Sequence, residues 1–122
     1  MAVIKGVVSD IGLNDGSAKQ VFWEAVGDGD SGAPVELIEW GDRTVQVKGT
    51  FDGATLTMQG SNDGAVWVTL TDPLGNNVAF TAAGGKAILE RYRYVRPLPS
   101  STSGNTDLDI TMTMVRTSGM RN

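Results

Sequence analysis

The chain contains neither cysteine nor histidine. Without cysteine there are no disulfides, no thiolate metal sites and no thiol nucleophile. Without histidine the commonest general base, metal ligand and near-neutral pH switch are missing together. Nothing in the composition demands an oxidising compartment, so synthesis in the cytosol is the simpler expectation. Basic charge is scarce as well: ten lysines and arginines against fourteen acids leave a net charge of −4. Nucleic-acid binders carry a basic excess to neutralise phosphates, so DNA and RNA are not expected partners. No apolar run approaches a membrane span, and the start, Met1-Ala2-Val3-Ile4-Lys5-Gly6, lacks the pattern of a secretory signal. The reading is a soluble protein with no membrane partner.

Helical periodicity is the next absence. The only short helical option, Ala82–Leu89, is spoiled by Gly84-Gly85. What is present is sixteen glycines, many β-branched residues and short alternating runs, spread over 122 residues, a length that suits one domain. Ala2–Ser9 reads as a first strand interrupted by Gly6, followed by a turn at Asn14-Asp15-Gly16-Ser17. Gln20–Val26 is strand-like, with Val21, Trp23 and Ala25 on one face and Phe22 on the other. Gly27–Pro34 is too rich in glycine for regular structure. Val35–Trp40 and Arg43–Gly49 read as a hairpin about Gly41-Asp42.

The clearest signal is a second hairpin, Ala54–Gly60 and Val66–Leu70, closed by Ser61-Asn62-Asp63-Gly64. Beyond it, Pro73–Asn77 reads as a turn, Val78–Thr81 as a short strand, and Gly84-Gly85 as a break before Lys86–Glu90. Tyr92–Leu98 alternates and is ended by Pro97 and Pro99. In the last strand Leu108, Ile110, Met112 and Met114 form an apolar row, and Thr117–Asn122 reads as a mobile tail. About eight to ten short, mainly antiparallel strands imply an all-β fold, a single β-sandwich or small barrel. A local meander is the simplest topology. The expected organisation is an N-terminal strand and turn-rich segment over 1–19, a β-sandwich over 20–116 and the tail over 117–122.

No constellation here carries catalytic chemistry. Asp28-Gly29-Asp30-Ser31-Gly32 has the carboxylate spacing of a calcium loop, but Ala33 stands where the sharp bend needs glycine, and strands flank it instead of helices. Glu36 and Glu39, three apart on a strand, point to opposite faces, which a glycosidase pair cannot do. Serine and threonine have no histidine to activate them, and Lys5, Lys48 and Lys86 lie in ordinary strand patterns. No enzyme activity and no cofactor are expected.

Binding is the remaining class. Trp23, Trp40, Trp67, Tyr92 and Tyr94 suit a sugar platform, though for Trp67 packing is the favoured role. Arg91, Arg93 and Arg96, beside Tyr92 and Tyr94, form a stripe of the residue types enriched at protein contacts. A competing reading pairs those arginines with acids of the first half. Residues 1–52 hold nine acids and four bases, while 86–122 hold six bases and three acids. That polarity serves either head-to-tail contact between copies or cancellation within one fold.

The run Gly49-Thr50-Phe51-Asp52-Gly53-Ala54-Thr55-Leu56-Thr57-Met58-Gln59-Gly60-Ser61-Asn62-Asp63-Gly64, continuing to Trp67 and Leu70, resembles small structural proteins of tailed-bacteriophage virions. Gly29-Asp30-Ser31-Gly32-Ala33-Pro34 and Arg93-Tyr94-Val95-Arg96-Pro97 extend the resemblance across residues 20–116. It implies a head decoration or cement protein, made in the host cytoplasm and working on the virion head surface. The major capsid protein and further copies of this chain, as a homo-oligomer, would be its partners. The strand Ala2–Ser9, with Val3, Ile4 and Val7, would then reach a neighbouring chain and complete its sheet. A tail or neck component would use the same architecture. The Gly-Ser-Asn-Asp-Gly hairpin with its tryptophan also resembles discoidin-like carbohydrate-binding domains, which makes a glycan used in host attachment the alternative partner.

Overall fold

A computed structural model describes residues 2–11 and 17–116. Of the turn expected at Asn14-Asp15-Gly16-Ser17, residues 14–16 lie outside the described residues, as does the tail from Thr117. There is no helix among the described residues, and the fold is all-β. Those residues form twelve strands: β1 (Val3–Ile4), β2 (Val7–Asp10), β3 (Ala18–Gly27), β4 (Ser31–Gly32), β5 (Val35–Glu36), β6 (Trp40–Thr50), β7 (Thr55–Ser61), β8 (Val68–Thr69), β9 (Ala79–Phe80), β10 (Gly84–Ala87), β11 (Tyr94–Ser100) and β12 (Asp107–Arg116).

Two five-stranded sheets face each other across one core. The first has the order β10-β6-β12-β3-β2 and the second the order β5-β11-β7-β8, with β9 also on β7. All pairings are antiparallel except β1 with β4, which run parallel as a separate pair. This is not a local meander: β12 lies between β6 and β3, so the last strand closes the centre of the first sheet. The expected apolar row does the closing. Leu108, Ile110, Met112 and Met114 are all buried, together with Val21, Trp23, Val45 and Val47 from the flanking strands. Full burial of each such side chain stabilises the fold by about 1.5–3 kcal/mol. Leu56, Met58, Leu70 and Val95 cover them from the second sheet.

Two bulges set which residues reach that core. On β3, Leu108 faces Val26 while Ile110 faces Trp23, so β3 carries one extra residue. Ala25 takes it up with a positive φ of 58° and gives its N–H to Asp109. Ala25 is therefore exposed, and Val26 turns inward in its place. On β6 the slip falls between Thr44 and Gly41, where Asp42 has a φ of 50°. Gly41-Asp42 is thus a bulge within one strand, and the expected hairpin about it does not form. The chain turns earlier, where the Trp40 N–H donates to the Leu37 carbonyl, and β5 joins the other sheet beside β11.

The punctuation residues also behave differently from expectation. Pro97 and Pro99 stand inside β11, opposite Met58 and Leu56. Past Val95 that strand has no β5 neighbour on its other flank, and an edge tolerates a residue without an N–H. Gly84-Gly85 opens β10 instead of breaking the chain, opposite Val47 and Gln46. In the glycine-rich stretch, Gly32 belongs to β4 because Pro97 needs the space: a Cβ there would sit 2.3 Å from Pro97 Cγ. The hairpin of β7 and β8 forms as expected, with Gln59 opposite Thr69.

Candidate interaction surface

β11 presents two rows. Val95, Pro97 and Pro99 turn inward and are buried, which leaves Tyr94, Arg96 and Leu98 on the outer face of the second sheet. Register places Arg96 opposite Gln59 of β7, and the Arg96 Nε donates to Gln59 Oε1 at 3.0 Å. The Arg96 guanidinium carbon lies 4.1 Å from the centroid of Trp67, within the range of a cation–π contact. Partial burial lowers the pKa of Arg96. Trp67 is half-buried by this contact, so one face of its ring is occupied by the guanidinium.

At the start of the strand, Arg93 forms an ion pair with Glu36 of β5, the strand beside it. Its guanidinium carbon is 5.0 Å from the Tyr94 ring centroid. The pair joins an acid of the first half to a base of the last third, as the uneven charge along the chain allowed. The hairpin tip buttresses this corner. Asn62 Oδ1 accepts the Arg93 N–H, and a Cβ on Gly64 would stand 3.6 Å from the Tyr94 ring. Asp63 holds the tip: its Oδ1 accepts the N–H groups of Ala65 and Val66 at 2.8 and 2.9 Å and the hydroxyl of Ser61. These bonds bring its carboxyl down to a pKa of about 2. The result is a ridge of Glu36, Arg93, Tyr94, Arg96 and Trp67, each ring or charge already fixed by a neighbour.

The other expected contact residues lie elsewhere. Tyr92 turns toward the core, where a Cβ on Gly60 would stand 2.6 Å from its ring. Arg91 borders a shallow depression between Gly41–Arg43 and Ile88–Glu90. Ile4 packs on the core. Val3 is exposed on β1, which pairs with β4 on the flank of β11. Val7 is exposed on β2, at the edge of the first sheet. The eight positions thus divide: Arg93, Tyr94 and Arg96 form one surface, Ile4 and Tyr92 pack on the core, and Val7 belongs to the edge of the other sheet.

Arg43 was not singled out from the sequence, although it shares the inward parity of Val45 and Val47. It is 2% exposed. Its Nε donates to the Trp40 carbonyl at 2.9 Å, Nη2 to Leu37 at 2.6 Å and Nη1 to Tyr92 at 3.3 Å. Burial, and then the charge of Arg91, push its pKa down to about 10. It is a clamp between the entry to β6 and the entry to β11. Asp28 and Asp30 of the calcium-like stretch are likewise engaged within the chain, by Thr102 and by the N–H groups of Gly27 and Ala2. Among the described residues, no three histidine, cysteine or acidic side chains are grouped to hold a metal ion. No helix among them is long and apolar enough to cross a membrane.

No protein-family model matches the chain, and no curated protein does. Among solved structures, the SPBc2 prophage-derived protein YomS superposes with a TM-score of 0.62 at 12% identity, over 80% of this chain and 94% of that one. The IMPa protein of Pseudomonas aeruginosa in complex with an O-glycopeptide gives a TM-score of 0.43 at 9% identity, covering 83% of this chain and 13% of that one. The IMPa metallopeptidase in complex with T-antigen gives 0.44 at 10% identity, over 92% of this chain and 13% of that one. At 12% identity the YomS match speaks to architecture alone: this chain shares the fold of a small prophage-derived protein across nearly all of that protein's length.

Proposed function

We propose that the chain is a non-enzymatic structural protein of a tailed-phage virion, and that it docks on the assembled shell of the major capsid protein as a head decoration protein. The observation that carries this reading is the prearranged ridge on the second sheet. Arginine, tyrosine and tryptophan are the side chains that most often dominate protein–protein binding energy. Here an ion pair and two cation–π contacts hold them in place before any partner arrives, which reduces the entropy lost on docking. The phage origin of the structural neighbour supports the setting, and the sequence resemblance over 20–116 supports the head role. A sugar platform is a poorer use of Trp67, because Arg96 lies over its ring.

The test is co-sedimentation with expanded shells of the major capsid protein from the same phage genome, followed by electron cryomicroscopy. Wild-type protein is expected to bind in ordered positions. Arg96→Ala, which also frees the Trp67 ring, is expected to weaken binding at least tenfold while remaining folded. Shells that leave the wild-type protein in the supernatant would remove the head role.

A further inference from the structure

The first sheet has two edges of opposite character. One is β10, Gly84-Gly85-Lys86-Ala87, which has no large apolar side chain and carries a lysine held by Asp72 at 3.2 Å. Such an edge discourages the addition of another strand. The other is β2. Val7, Val8 and the adjoining Ile11 are 61%, 43% and 47% exposed, and there is no proline or lysine within the strand. Its acid, Asp10, is neutralised within the chain by Lys19 at 2.6 Å. Among the described residues, nothing pairs with its outer side.

The direction of its free backbone groups follows from one bond. The Ile11 N–H donates to the Ala18 carbonyl at 3.0 Å, and β2 continues antiparallel to β3 with Ser9 opposite Gln20 and Val7 opposite Phe22. Antiparallel bonds use alternate residues. Ser9 and Val7 therefore bond to β3 as Ile11 does, while Val8 and Asp10 turn their N–H and C=O groups away from it.

We propose that β2 is the seam of a two-fold homodimer, in which β2 of one copy pairs antiparallel with β2 of a second and joins the two five-stranded sheets into one. The strand is its own complement, which is what selects a second copy as the occupant. A two-fold axis through Val8 places Val8 opposite Val8, Asp10 opposite Gly6, Val7 opposite Ser9 and Lys5 opposite Ile11. No like charges meet, and the acid faces a residue without a side chain. The outward groups of Val8 bond to one another, and inner face continues into inner face, as a closed two-fold contact requires. The exposed valines become covered on both copies at once. This seam stands apart from shell docking, since a chain that ignores shells can still dimerise.

The absence of cysteine makes the test clean. Sedimentation of the full chain is expected to give twice the monomer mass. Val8→Cys is expected to form a disulfide-linked dimer on mild oxidation, because residues in a hydrogen-bonded antiparallel pair lie about 5.5 Å apart, inside the disulfide range. Lys86→Cys, on the other edge, is expected to stay unlinked. Val8→Pro removes an N–H that β3 does not use, so it is expected to halve the mass with an unchanged circular dichroism spectrum. If Val8→Pro fails to fold, the two cysteine variants decide the question. A monomeric wild-type chain, a folded Val8→Pro that remains dimeric, or linkage of Lys86→Cys but not of Val8→Cys would each overturn the proposal.

Discussion

The two sheets solve the same problem by different means. In the first, β12 pairs with β3 and β6 along most of its length, so backbone groups are satisfied by ladders and side chains need only alternate. In the second, only β7 and β11 pair at length, and β5, β8 and β9 are two residues each. Strands that short leave backbone groups unmatched, and a buried unmatched group is costly. Polar side chains take them up. Asp63 holds the N–H groups of Ala65 and Val66, Asp72 those of Leu74 and Asn76, Glu90 that of Thr71, and Arg43 the carbonyls of Leu37, Trp40 and Tyr92. The first sheet is thus held by apolar pattern, and the rim of the second by polar residues acting on the backbone.

The largest effect is expected where the two means meet. Trp23 is fully buried under the first sheet, and its Nε1 donates to the Ala33 carbonyl in the segment leading to β5. Trp23→Ala should destabilise the protein by about 3–5 kcal/mol, measured by denaturant unfolding. Both sheets share one core cluster, so fluorescence and circular dichroism should report a single transition. Two separated transitions would break the comparison, because the sheets would then be independent units.

The same division explains what could be read in advance. The alternation in β12 and the Asn-Asp-Gly tip of the β7–β8 hairpin were legible because each is a local pattern with one geometric meaning. The bulges at Ala25 and Asp42 were hidden in a parity change: Trp23 and Val26 are both buried, as are Trp40 and Val45, although each pair is separated by an odd number of positions. Prolines in β11 and glycines in β10 misled because their effect depends on which neighbour a strand has, and strand order is not a local property. At the interaction surface, the charge imbalance anticipated a pair such as Glu36 with Arg93. The stacking of Arg96 on Trp67 required knowing that β11 and the β7–β8 hairpin share a sheet.

Arg43 gives a sharper and smaller test of the polar rim. Arg43→Met keeps much of the side-chain bulk and removes a buried charge, which favours the variant, but it takes the guanidinium donor from the carbonyls of Trp40 and Tyr92 and leaves that of Leu37 with the Trp40 N–H alone. Orphaned acceptors should win, for a net loss of about 1–3 kcal/mol. Hydrogen exchange should show the loss concentrated at Leu37–Trp40 and Tyr92, with the amides of β12 protected up to the global limit. Uniform loss across both sheets would mean that Arg43 acts as ordinary core packing.

The smallest expected effect is a pH dependence at the hairpin tip. Three donors, the N–H groups of Val66 and Ala65 and then the Ser61 hydroxyl, hold the Asp63 carboxyl at about 2, below the usual aspartate value of roughly 3.9. A depressed carboxyl stabilises the folded state fully above its unfolded pKa, and that contribution disappears as pH falls through the folded value. Asp72, held by Asn76 and Lys86, and Glu90, held by Thr71, are lowered in the same sense, so the whole rim weakens in acid. Melting temperature should therefore fall between about pH 4 and pH 2. In Asp63→Asn the fall should be shallower, because one titrating group is gone, while the starting stability near neutral pH is lower. Equal slopes for wild type and variant would show that Asp63 binds its proton alike in folded and unfolded chains, and the tip would then owe its shape to Gly64 and the β7–β8 ladder instead of the carboxylate.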